Sequence, residues 1–323
     1  MRFIQRFFIC ALSLVGIYTS TAVAQNNYPN KPINFIVPYG AGGSADSRSR
    51  QLAQKMSLLL KQPIVIDNKP GAGGNIAAEQ VAKAPADGYT LLFSIDTTFT
   101  VNPAIYKKLP FDPAKDFETI SVPVTYGQML AVHPSLPVNS VSELVALAKT
   151  KSLDYASGGN GSPSHLSFAY FLSTAGITMT HIPYKGTGQS IVDVMAGQVN
   201  AIFAVTTGVL PHVKSGKLKA LAVSSAKRST LAPELPTVAE SGYPGFDASF
   251  AYALMAPAGT PKAITDLLNT EVQKAMASPD SQEKNRIADY LSTGLNAQQS
   301  TVWLQENRER WGAVVKKAGI TID

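Results

Sequence analysis

The sequence predicts an α/β protein built on two sheets. Three observations carry that expectation: short β-branched and aromatic runs alternate with helical periods, glycine- and serine-rich loops fall where run gives way to helix, and 323 residues at roughly 100–200 per domain make two domains. Apolar residues form 45% of the chain and glycine has no three-residue period, so a packed core is available and disorder and collagen are excluded. The single cysteine, Cys10, cannot bridge within the chain, which removes a disulfide scaffold.

The elements follow in order. Arg2 and Arg6, the apolar run 7–17 and Ala22-Val23-Ala24 read as a signal peptide cleaved after Ala24, too short in its apolar part to span a bilayer. Residues 33–39 form a strand that stops at Gly40-Ala41-Gly42-Gly43, and Leu52, Met56, Leu59 and Leu60 then recur at helical spacing. Strands at 63–67 and 89–94 flank a helix carrying Ile76 and Val81, and right-handed crossovers turn these units into a parallel sheet. A strand at 129–133 precedes Ser140-Val141-Ser142-Glu143, a capping box opening a helix through Lys149. The strand-loop-helix unit repeats from 153–157, 178–182 and 200–205, followed by strands at 218–224 and 252–256 and helices beginning near Pro261, Ser281 and Ser300.

Ligands of open α/β sheets bind beyond the carboxyl ends of strands. Five loops lie there: 40–46, 94–100, 157–165, 184–189 and 205–208. Gly40, Gly42 and Gly43 leave backbone N–H groups unshielded at the positive end of a helix, which suits a carboxylate or phosphate or else a tight turn alone. Asp46 either complements the helix dipole, braces the loop or accepts from a ligand. Ser157-Gly158-Gly159-Asn160-Gly161-Ser162 is a second such loop, and His165 beside it caps a helix or donates to a ligand.

Other chemistries fit less well. Gly40-Ala41-Gly42-Gly43-Ser44-Ala45 with Asp67 matches a dinucleotide fingerprint, but an exported chain meets little nicotinamide cofactor and Asp67 opens a turn. No G-x-S-x-G elbow occurs, and His133, His165, His181 and His212 lack metal-ligand spacing. Without the leader the chain is mildly basic but has no run of like charges, which excludes nucleic acid and favours a small anion.

The motifs Val37-Pro38-Tyr39, Gly42-Gly43-Ser44-Ala45-Asp46, Asn68-Lys69-Pro70-Gly71-Ala72-Gly73-Gly74, Asp87-Gly88-Tyr89, Pro183-Tyr184-Lys185-Gly186, Leu235-Pro236-Thr237 and Ala256-Pro257-Ala258-Gly259-Thr260-Pro261 occur in one order along the mature chain. In these the sequence resembles the extracytoplasmic substrate-binding receptors of tripartite tricarboxylate transporters, the Bug-type receptors. The resemblance implies a type II periplasmic binding-protein fold, with residues 25–129 and 226–323 as the first lobe and 130–225 as an inserted second lobe. It implies a monomeric binding protein, not an enzyme and without cofactor, that captures a small carboxylate and delivers it to the transporter's membrane permease subunits; a sensing or scavenging role is the alternative. On the residues of this chain, Ala41, Gly42, Gly43, Ser44 and Asp46 would serve the first lobe with Thr97 and Thr98, and Ser157, Asn160, Ser162, His165 and Thr206 the second, with Tyr184 as a wall. Tyr39 would pack over the ligand body or stay in the core. Ala204 stands where many relatives carry Asp, which would favour a second carboxylate or an apolar ring over an amine.

Overall fold

A computed structural model describes residues 28–322; the expected signal peptide at 1–24 lies outside the described residues. The first sheet holds β1 (Ile33–Val37), β2 (Ile64–Asn68), β3 (Thr90–Ile95), β4 (Phe117–Tyr126), β10 (Phe250–Pro257) and β11 (Leu291–Ser292), in the order β11-β4-β10-β3-β1-β2. The second holds β5 (Gln128–Val132), β6 (Asp154–Ser157), β7 (Thr180–Pro183), β8 (Ala201–Val205) and β9 (Lys219–Val223), in the order β7-β6-β8-β5-β9. Helix α1 (Ser44–Leu60) crosses from β1 to β2 and buries Leu52 and Met56 completely. Each such side chain contributes about 1.5–3 kcal/mol. Leu59 and Ile76, by contrast, are exposed.

Both sheets are mixed rather than parallel. β1, β2 and β3 pair in parallel as the crossovers require, but β10 runs against β3 and β4, and β5 runs against β8 and β9. The cause is the path between the sheets: only Gly127 separates β4 from β5, so the chain passes straight from one sheet into the other. Around the second sheet lie α5 (Val141–Ala148), α6 (Pro163–Ala175), α7 (Thr187–Met195) and α8 (Thr206–Lys214). The Ser140 hydroxyl caps α5 by accepting from Glu143 N–H (3.2 Å), whereas the Glu143 carboxylate accepts from Asn139 N–H (2.6 Å) rather than closing the reciprocal box on Ser140.

The chain passes between the sheets at Gly127 and again between β9 and β10, and these crossing stretches are hydrogen-bonded to one another. Ser224 N–H donates to Gln128 O and Gln128 N–H to Ser224 Oγ, each at 2.8 Å, and Ser224 Oγ donates in turn to Ala248 O (2.9 Å). Gly127 sits so close that a Cβ there would lie 2.5 Å from Ser225 Oγ and 2.7 Å from its Cβ. Gly127→Ala is therefore expected to cost about 1–2 kcal/mol by overpacking. Adding Ser225→Gly, which removes both clashing atoms, should recover part of that loss in urea denaturation; no recovery would place the strain elsewhere.

The remaining helices are α2 (Asn75–Ala82), α3 (Thr97–Thr100), α4 (Asn102–Ile105), α9 (Lys262–Ala277), α10 (Pro279–Ala288) and α11 (Ala297–Ala318). α11 starts with a complete Asn296–Gln299 capping box and buries Trp311, whose ring stacks on Phe250 of the first sheet (5.1 Å) and meets Tyr170 of α6 edge-on (6.1 Å). Among the described residues no helix is long and apolar enough to cross a membrane.

Candidate functional site

Parallel pairing puts the loops after β1, β2 and β3 side by side, and likewise those after β6, β7 and β8. In the first group residues 41–44 are exposed, and the N–H groups of Ala41, Gly43 and Ser44 meet no acceptor among the described residues. Gly42 takes φ +85°, a conformation open to glycine, and its N–H donates to Asp46 Oδ2 (2.9 Å). Asp46 is 4% exposed and also accepts from Asn68 Nδ2 (3.0 Å) and Arg50 (2.9 Å). These partners, Arg50 foremost and then the Gly42 N–H, hold its carboxyl down at about 2. Asp46 thus braces the loop, and the Asn68 amide closes the frame by donating to Tyr39 O (2.9 Å).

Tyr39 is half-buried, its hydroxyl 3.4 Å from Ser94 Oγ, which lies 2.8 Å from Thr98 Oγ1. Thr98 is fully buried and Thr97 9% exposed, so both sit beneath the loop surface. Asp67, the acid of the dinucleotide reading, pairs with Lys69 (3.4 Å).

The second loop spends most of its polar groups on itself. Ser157 Oγ accepts from Gly159 N–H (3.1 Å) and lies 2.6 Å from His181 Nε2, while Ser162 Oγ donates to Gly159 O (2.7 Å) and caps α6 through His165 N–H. The side chain of Asn160, exposed at the loop tip, has no protein partner among the described residues. His165 Nδ1 accepts from Gly161 N–H (3.1 Å), which places its proton on Nε2, and its ring stacks on His181 at 3.9 Å. Burial, with His181 adding to it, pulls His165 down to about 4, so both rings are neutral donors or acceptors near neutral pH. Tyr184 turns its hydroxyl to Asp193 (2.7 Å), and Thr206 is buried at the start of α8.

Gly161 comes up against the end of α4 and the C-terminal stretch, where a Cβ would lie 2.9 Å from Ile105 Cδ1 and 3.1 Å from Ile322 Cδ1. Of the expected residues, the exposed donors are therefore the 41–44 backbone and Asn160, while Asp46, Ser157 and Ser162 shape the loops. Two surface hollows of about 630 and 580 Å3, along α1 with β2 and beside Asn269 and Asn296, share no residue with either loop. Sequence reasoning missed His181 as the partner of His165, and it missed Asp96. That carboxylate is fully buried beside the crossing segments, accepts from Ala251 N–H (2.8 Å), and is pushed by burial up to about 7.

Two α/β lobes joined by crossing segments, each with donor-bearing loops at the carboxyl ends of its parallel strands, define a solute-binding receptor of the type II periplasmic class. Residues 49–320 match the tripartite tricarboxylate transporter family receptor, and the chain belongs to that family. It is 35% identical over 316 residues to Protein BugT of Bordetella pertussis, covering 95% of this chain and 97% of that one. Among solved structures it resembles R. palustris Rpa4515 with adipate (34% identity, TM-score 0.79, 91% of this chain and 99% of that one). It also resembles MatC from Rhodopseudomonas palustris with bound malate (30% identity, TM-score 0.74, 89% and 100%). The protein is a binding receptor and not an enzyme.

Proposed function

We propose that this receptor captures a small carboxylate, of the dicarboxylate, tricarboxylate or aromatic-acid class, in the periplasm and passes it to the permease subunits of a tripartite tricarboxylate transporter. The observation that carries the reading is the set of unpartnered N–H groups of Ala41, Gly43 and Ser44, at the positive end of α1 and braced from behind by the Gly42–Asp46 hydrogen bond. Adipate and malate in two similar structures support the same class. One lobe, residues 25–129 with 226–323, takes one carboxylate; the insert 130–225 meets the rest of the ligand through Asn160 and the His165 Nε2–H. Closure about the crossing segments engages both, so the ligand biases the closed form by the contacts made only there.

Ligand-stripped protein is expected to gain about 2.7 kcal/mol of apparent stability at a hundredfold excess of a true ligand over its Kd, a rise of several degrees in Tm. Adipate, malate and citrate are the first compounds to test, with aliphatic diamines as controls. A Tm raised by the diamines and by none of the acids would overturn the reading.

A further inference from the structure

Arg48 stands on the buried stripe of α1, one turn behind Ser44 and in line with Leu52 and Met56. It is 3% exposed, yet no carboxylate among the described residues pairs with it. Its Nη1 donates to Gln51 Oε1 (3.1 Å) and its Nη2 to Asn285 Oδ1, both neutral acceptors, and its Nε has no partner. The guanidinium lies 4.4 Å over the Tyr290 ring. Tyr290 Oη is 3.5 Å from Tyr252 Oη. A buried charge without a counter-ion is costly to hold, and its field is weakly screened by the surrounding protein. Here it lies one helical turn behind the loop that carries the unpartnered N–H groups of Ala41, Gly43 and Ser44.

Resting on the carboxylate-receptor reading above, we propose that Arg48 is the buried positive charge of the first-lobe subsite, whose missing counter-ion is the ligand carboxylate itself, and that it makes the subsite select an ionised group. It acts through its field from within the first turns of α1 and does not touch the ligand, so it is a positioning residue. At a separation on the order of 10 Å through protein, one unit charge changes affinity about tenfold.

Isothermal titration with adipate and malate tests this on the full-length mature protein. Arg48→Gln, which keeps a donor for Asn285, should bind about tenfold more weakly while the ligand-free Tm stays level or rises, because an uncompensated charge has gone. Arg48→Lys, which keeps the charge with a different shape, should stay within about threefold of the parent. Arg48→Gln binding like the parent would overturn the proposal, as would Arg48→Lys losing as much as Arg48→Gln, which would mark a role of shape alone. If the parent protein itself bound neither these acids nor citrate, the carboxylate reading would fail first; loss confined to the variants concerns Arg48 only.

Discussion

Asp96→Asn is expected to make the ligand-free protein lose on the order of 3 kcal/mol more stability than the parent as pH falls from 6.5 to about 4. Buried groups titrate against one another in that interval, His165 and the likewise depressed His181 on one side and Asp96 on the other. His165 has a folded value of about 4 against an ordinary 6.5, so on acidification the unfolded chain takes a proton that the folded one refuses, and stability is lost. Asp96 has a folded value of about 7 against 3.8, so the folded chain takes the proton first, and stability is gained. Asparagine keeps the acceptor for Ala251 N–H and removes the titration; the long Thr100 Oγ1 bond to Asp96 Oδ2 (3.3 Å) goes with it, but Thr100 Oγ1 still has Asp96 O as acceptor. His165→Asn, whose side-chain oxygen can replace Nδ1 as acceptor for Gly161 N–H, should tilt the curve the other way. Urea denaturation across the interval reads both slopes, and an Asp96→Asn profile no steeper than the parent's would refute the opposition.

Asp46→Ala is the second large effect. It strands the Gly42 N–H, the Asn68 amide and Arg50 together, which should cost on the order of 1–2 kcal/mol, since these partners reach solvent and recover part of what they lose from water. The loop at residues 40–44 then loses its brace, and carboxylate affinity should fall by about one to two orders of magnitude, as misplacement of a positioned site does. The parent holds Asp46 depressed, so its contribution is present above the ordinary value of 3.8 and fades as pH drops through about 2. The variant should lack that acid limb. Full ligand affinity in a folded Asp46→Ala protein would show that the brace is dispensable.

What could be read from the sequence was what is local. The stop of β1 at the glycines, α1 behind them and the exposed N–H groups between are settled within some twenty residues, and they were legible. β4 was not: Phe117, Ile120, Val122, Val124 and Tyr126 carry a strand pattern, but Pro123 argues against one. The fold places Pro123 at a shift in the β4–β10 register, where its missing N–H breaks no rung, and Thr293 N–H uses its carbonyl. β11, two residues long, offers no pattern at all. Strand direction in β5 and β10 was equally hidden, because it depends on where the chain changes sheets. The serines of the second loop looked like ligand donors, but Ser157 and Ser162 do what serines at helix starts commonly do and satisfy their own backbone. The His165–His181 stack arises because β7 lies beside β6, a contact that no local window contains. Arg48 did leave a trace: it breaks an otherwise apolar stripe with Leu52 and Met56 at four-residue steps.

Trp311, held between Phe250 of the first sheet and Tyr170 of α6, packs on both halves of the molecule at once. A ring in contact with both sides favours rotation about an axis close to itself over separation of the halves. Under the carboxylate reading, such a rotation would let a short diacid and a longer one each be gripped at both ends at a different angle.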